Sequence, residues 1–148
     1  MIAIGSDHGG FELKKEVMAH LDARGLEYKD FGTYSDASCD YPVYGKAVAK
    51  AVASGECERG IIICGTGIGM AITANKFKGI RAAVGHDIFS AERSVLSNNC
   101  NVICFGERVI GKELAKKILG QWIGLTFKDG SSTPKVQEIR DIETENMR

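Results

Sequence analysis

"RGIIICGTGIG", residues 59–69, decides the fold. Ile61, Ile62 and Ile63 form an apolar run without alternation, the pattern of a strand covered on both faces in a parallel sheet. The run stops at Cys64, three glycines follow within five residues, and helical spacing then begins. A strand passing through a glycine-rich turn into a helix is half of a βαβ unit.

Outward from this stretch the chain repeats the pattern. "MIAIG" at the amino end reads as a strand. The helix after it spans 11–24, with Leu13, Val17 and Leu21 at i, i+4 and i+8 and Gly25 just past its end. "LEYKDFG" (26–32) reads as a second strand and "TYSDASCDYP" (33–42) as a loop dense in turn residues. The next helix covers 41–54, with Ala47, Val48, Ala51 and Val52 inward. Beyond residue 64, helices over 67–76, 88–98 and 113–125 alternate with strands "IRAAVG" (80–85) and "NVICFG" (101–106). The 113–125 helix places Leu114, Ile118, Trp122 and Leu125 on one stripe. A last helix spans 133–148, with Pro134 in its first turn.

Strict alternation of strand and helix predicts one parallel sheet with right-handed crossovers. The expected fold is a doubly wound, Rossmann-like α/β domain: a five-stranded parallel sheet with helices on both faces, residues 1–148 forming a single domain. No repeat, low-complexity tract or linker divides it.

The totals exclude several functions. With 148 residues and a formal net charge of zero, no basic footprint for nucleic acid or an anionic membrane stands out. No apolar run approaches the roughly 20 residues needed to span a bilayer, and "MIAIGSDHGG" lacks the layout of a secretory leader. A cytoplasmic protein is expected. Five cysteines, odd in number and without a CxxC pair, read as reduced, mostly buried thiols rather than a disulfide framework or zinc site.

In doubly wound folds ligands lie outside the carboxyl ends of the strands. Those ends read "GSDHGG", then "FGT" and "CDYP", "CGTGIG", "GHD", and "FGERVIG". Glycines alone are what strand-to-helix turns require. An acid and an imidazole, Asp7 and His8, before a glycine pair are less easily explained that way, and a thiol before "GTGIG" least of all. The spacing after the third strand is G-x-G-x-G, neither the dinucleotide fingerprint nor a phosphate loop with its lysine. What it offers is a concavity of backbone N–H groups from Gly65, Thr66, Gly67 and Gly69, suited to phosphate, carboxylate or a developing oxyanion. Cys64 at that turn meets the positive end of the next helix, which favours a thiolate acting as base or nucleophile. Thr66 and Asp7 stand ready as proton relays. Acid, imidazole, thiol and nest suit proton abstraction beside a carbonyl. Acyl transfer through a Cys–His pair fits these residues too, as does a binding module that keeps only the anion nest.

"GSDHGG", "DFGT", "DYP", "GTGIG" followed by "ANK", "GIRAA", "NNCNV" and "FGERVIG" run in one order along almost the whole chain. The ordered set resembles the ribose-5-phosphate isomerase B and galactose-6-phosphate isomerase family, and "SDHGG" with "ICGTGIG" places it nearer the ribose-5-phosphate branch. The resemblance implies aldose–ketose isomerisation of a sugar phosphate through a cis-enediolate, with no metal or organic cofactor. It makes Cys64 the base and the glycine-rich loop the stabiliser of the enediolate oxygen. It assigns Asp7, His8, Tyr41 and Asn98 to substrate contact and Arg108 to the phosphate. It further implies homodimers, sometimes paired into tetramers, with sites at the subunit interface and the C-terminal helix on the partner.

Two departures stand out. Where the family carries the histidine that opens the furanose ring, this chain has Ser97; where it carries phosphate-gripping arginines near the carboxyl end, "DGSSTPKV" gives Ser131 and Lys135. A serine cannot do an imidazole's acid–base work near neutral pH, and lysine keeps the charge but loses the bidentate fork. The expectation is a shifted substrate: a tetrose 4-phosphate closes no furanose ring and needs no ring-opening group. The competing expectation is that His86 supplies the imidazole; the third is a non-catalytic sugar-phosphate-binding protein. His20, within a helix, is expected to face solvent.

Overall fold

The computed structural model of the chain describes residues 1–147. Its strands are β1 (Ile2–Ser6), β2 (Tyr28–Asp30), β3 (Arg59–Cys64), β4 (Ala82–Val84) and β5 (Val102–Gly106). They pair in parallel in the order β2-β1-β3-β5-β4. The chain leaves β1 toward β2 on one side and returns to β3 on the other, so the strand order reverses between β1 and β3. That is where a doubly wound sheet opens its ligand crevice.

The helices are α1 (Phe11–Ala23), α2 (Tyr41–Ala53), α3 (Ile68–Ala74), α4 (Ile88–Leu96), α5 (Lys112–Trp122) and α6 (Thr133–Asn146). α1, α4 and α5 cover one face of the sheet, and α2 and α3 the other. The isoleucine run explains why both layers hold. Ile61 and Ile63 join Leu13, Val17 and Trp122 on one side, while Ile62 and Cys64 join Val48, Met70 and Ala74 on the other. Each buried isoleucine contributes about 1.5–3 kcal/mol relative to exposure. Two-sided burial removes any need for polar alternation, which is why β3 reads as a continuous apolar run.

Several expected details shift. The α5 stripe is Ala115, Ile118, Leu119 and Trp122, with Leu114 exposed. At 100° per residue Leu114 falls about 90° from the centre of that stripe. The helix ends at Trp122, and Leu125 packs from the loop beyond. In α2 the inward set gains Gly45 and Ala49, and Ala47 sits at its margin. His20 is half-buried rather than solvent-facing, because α5 packs on α1: its Nε2 is buried with no hydrogen-bond partner among the described residues. α6 anchors through Val136 and a hydrogen bond from the Gly79 amide to Glu143, and leaves Ile139 and Ile142 exposed.

Among the described residues no helix is long and apolar enough to cross a membrane. Four of the five free cysteines are buried. Burial pushes the Cys57 and Cys104 thiols up and Cys100 to about 11, so these three are packing groups.

Candidate active site

β1 and β3 deliver their last residues side by side, with Ser6 in register with Ile63. Asp7 and Cys64 follow at the reversal point. Asp7 caps the short 3-10 turn His8–Gly10, its Oδ1 accepting the Gly10 N–H at 3.1 Å. Gly9 in that turn lies against both the Asp7 carboxylate and the Gly65 amide, which brings the "SDHGG" and "CGTGIG" loops together.

Cys64 is 6% exposed, on the face covered by α2 and α3. Its Sγ accepts the N–H of Gly67 at 3.1 Å. Gly67 has φ 81°, a left-handed conformation that turns its amide back on the sulfur and starts α3. That amide is occupied by the thiol, and the Ile68 N–H by Thr66 Oγ1 at 3.2 Å, so neither is presented to a ligand as a plain amide nest would have it. With its oxygen already accepting, the Thr66 hydroxyl proton is left to donate.

Asp7, Tyr41, Cys64, Thr66, Ile68 and Ile72 line a cavity of about 400 Å³ together with Gly65 and Gly69. Tyr41, at the start of α2, lays its ring directly over Gly69. Of the residues singled out from the sequence, the cavity therefore gathers Asp7, Tyr41, Cys64, Gly65, Thr66 and Gly69. Arg108 stands beside it: its amide donates to the Gly65 carbonyl at 3.1 Å, and its side chain runs alongside Gly65. His8 is exposed, and its Nδ1 accepts the Cys39 N–H at 3.1 Å. The neutral ring then carries its proton on Nε2 and presents a donor.

Asn98, Lys135 and His86 do not line this cavity. Asn98 belongs to a larger one of about 670 Å³, beside Arg81, Arg93 and Ile142, which shares no lining residue with the first. Size does not identify the chemistry here. The smaller cavity holds the thiol, acid and hydroxyl that can move protons. Lys135 is exposed on α6. Ser97 Oγ accepts a hydrogen bond from Arg93 Nη2.

His86 has a definite structural task. Its Nε2 accepts the N–H of Gly106, the last residue of β5, at 2.8 Å, tying the loop two residues past β4 to the end of β5. Nε2 is thus already used as an acceptor, and burial lowers the pKa of the ring below the ordinary 6.5. His20 is lowered by burial and by Arg24 and Lys116. Both imidazoles are neutral in the fold, while the unfolded chain binds protons already near pH 6.5. Their stabilisation is therefore present above that pH and is lost as pH falls through the lower folded values. The urea midpoint is expected to fall as pH drops below about 6.5, before the carboxylates titrate. His86→Gln, which keeps an acceptor but cannot ionise, should flatten that slope; an unchanged slope would remove His86 from the account.

Among the described residues no group of three or more His, Cys, Asp or Glu side chains is placed to hold a metal ion.

A sequence model of the Ribose/Galactose Isomerase family matches residues 2–139. Ribose-5-phosphate isomerase B of Escherichia coli (strain K12) is 51% identical over 142 residues, covering 96% of this chain and 95% of that one. D-erythrulose-4-phosphate isomerase 2 of Mycolicibacterium smegmatis is 47% identical over 142 residues, 93% of each. The solved structure of Clostridium thermocellum ribose-5-phosphate isomerase B superposes with TM-score 0.95 at 49% identity, over 97% of both chains.

Proposed function

The chain belongs to the Ribose/Galactose Isomerase family, and from that premise we propose that it interconverts ribose 5-phosphate and ribulose 5-phosphate through a cis-enediolate. It is an aldose–ketose isomerase. One observation carries the assignment of roles: Cys64, Asp7, Thr66 and Tyr41 face a single cavity at the reversal point of the sheet.

Cys64, as thiolate, takes the proton from C2 of the open-chain aldose. The electron pair forms the C1–C2 double bond and the carbonyl oxygen becomes an oxyanion. Thr66, its Oγ1 already accepting from Ile68, donates toward that oxygen, with Asp7 beside it as the second proton carrier. Return of the proton from sulfur to C1, with transfer from O2 to O1, completes the ketose. Arg108 beside Gly65 and the Nε2–H of His8 supply donors for the phosphate.

A second copy of the chain completes the site. Ile68 and Ile72, each 57% exposed, stand one turn apart on α3 at the rim of the thiol cavity, and Val43 and Val109 are exposed as well. Apolar side chains around a catalytic cleft fit an interface that closes it. Asn98 and Lys135, which the cavity lacks, would then come from the partner, with α6 offering Ile139 and Ile142. Five free thiols suit a reducing, cytoplasmic setting.

The test is proton–deuterium exchange at C2 of ribose 5-phosphate in heavy water, measured beside net conversion to ribulose 5-phosphate. Exchange and turnover are both expected; their absence would sink the assignment. A second reading, a tetrose 4-phosphate as the preferred substrate, is favoured by Ser97, whose hydroxyl is held by Arg93 and which cannot open a furanose ring. A relative with an erythrulose 4-phosphate activity at 47% identity supports it. It wins if kcat/KM for erythrose 4-phosphate exceeds that for ribose 5-phosphate by about ten-fold or more.

A further inference from the structure

The segment Gly106–Arg108, just past β5, is held from several directions. The Glu107 and Arg108 amides donate to the carbonyls of Cys64 and Gly65 at 2.9 and 3.1 Å. Gly106 donates to His86, and it lies so close to the thiol turn that an added Cβ would stand 2.5 Å from Thr66 Cα. The Glu107 side chain is directed to another element altogether. Its Oε1 accepts the N–H of Leu13 at 2.6 Å, across 94 residues of sequence.

Leu13 is the third residue of α1, and its amide is one of the first four that a helix cannot satisfy internally. The residue in the capping position is Gly10, which has no side chain to serve it. Glu107 supplies the missing acceptor from the β5–α5 loop. A carboxylate is well placed there, against the positive end of a 13-residue helix.

The next residue is Arg108. Cys64 is held by the β3–β5 ladder, where it pairs with Gly106. Arg108 stands beyond the ladder, exposed, its Cδ and Nε 3.6 Å from where a Cβ on Gly65 would be. A long, exposed side chain loses rotamer freedom only if its backbone is fixed. The backbone at 107–108 is restrained by the rungs to Cys64 and Gly65, by the turn in which the Val109 and Ile110 amides donate to the Gly106 carbonyl, and by the Glu107 carboxylate.

We propose that Glu107 is a positioning residue: anchored on the amino end of α1, its carboxylate fixes residues 107–108 and so aims Arg108 across Gly65 at the substrate's phosphate. The kinetic readout rests on the isomerase reading above; the structural readout does not. Arg108 acts on the phosphate, which does not react, so its loss of aim weakens ground-state and transition-state binding alike.

Glu107→Ala is expected to raise KM for ribose 5-phosphate and the inhibition constant of inorganic phosphate together, each about five-fold, with kcat changed less than about two-fold. Glu107→Gln, which keeps the accepting oxygen, should restore both. Glu107→Asp, one methylene too short to reach Leu13, should behave as the alanine variant does and carries the comparison with Gln should Glu107→Ala fail to fold. In amide hydrogen exchange, Leu13 and Arg108 should both exchange faster in Glu107→Asp than in the wild type. Faster exchange at Leu13 alone means that Glu107 only caps α1, and overturns the proposal. A fall in kcat with KM and the phosphate inhibition constant unmoved overturns it as well. Should the wild type fail to turn over ribose 5-phosphate, the assignment of that substrate is lost, and exchange at Arg108 still decides the role of Glu107.

Discussion

Replacing Cys64 by alanine is expected to lower kcat/KM by about 10³-fold or more, since a positioned general base contributes about 10²–10⁴-fold to proton transfer. The thiol is the group in the cavity best suited to take a proton from carbon, and its sulfur already receives the Gly67 N–H at 3.1 Å, a bond the anion accepts more strongly. Cys64→Ser keeps the shape and loses the anion, because an alcohol stays protonated near neutral pH; it should be nearly as impaired. Binding should survive in both, as Arg108, His8 and Tyr41 are untouched. The measurements are steady-state kinetics, C2 deuterium exchange and calorimetric titration with inorganic phosphate. An alanine variant that keeps a tenth of the wild-type rate, or exchanges C2 at the wild-type rate, would take the base role from Cys64 and pass it to Asp7.

The second large effect is expected from Ile72→Asp, which should yield a folded monomer with activity down by about 10²-fold or more. Ile72 lies on α3 one turn beyond Ile68, on the same exposed face. A two-fold interface buries each substitution twice, and an unpaired carboxylate taken out of water costs several kcal/mol. Dissociation constants respond about ten-fold per 1.4 kcal/mol, so a micromolar or tighter dimer would come apart at assay concentrations. Sedimentation velocity reads the assembly, and unchanged exchange at the Gly67 amide would show that the thiol turn is intact. A complementary experiment separates assembly from local damage. Cys64→Ala and Asn98→Ala chains, each impaired alone, should regain about a quarter of wild-type activity on mixing and reassortment, because half the dimers are mixed and each holds one intact site. An Asn98→Ala chain of full activity would show that Asn98 does not serve the reaction, and impaired chains without recovery that Asn98 and Cys64 serve within one chain.

Much of the candidate site was legible in the sequence. Asp7, Cys64, Gly65 and Thr66 sit at strand ends or in the turns directly after them, and Tyr41 and Gly69 in the first turns of α2 and α3; a parallel sheet gathers those ends along one edge. His86 shows the limit. "GHD" after the fourth strand offers an imidazole at the right edge of the sheet, yet the ring spends its Nε2 lone pair on the Gly106 amide. Only the pairing of β4 with β5 shows that. Asn98 and Lys135 show another: both are surface positions of the single chain, away from the thiol.

By itself the sequence determined the alternation of strands and helices, the two-sided burial of β3 and the placing of a thiol before a glycine turn. All three follow from residue spacing within a dozen positions, where period and turn chemistry act locally. Tertiary structure alone decided that His86 accepts the Gly106 amide, that α5 half-buries His20, and that Glu107 caps a helix 94 residues away. A hydrogen bond depends on two groups meeting within about 3 Å, and no local pattern records which distant groups the folded chain will bring that close.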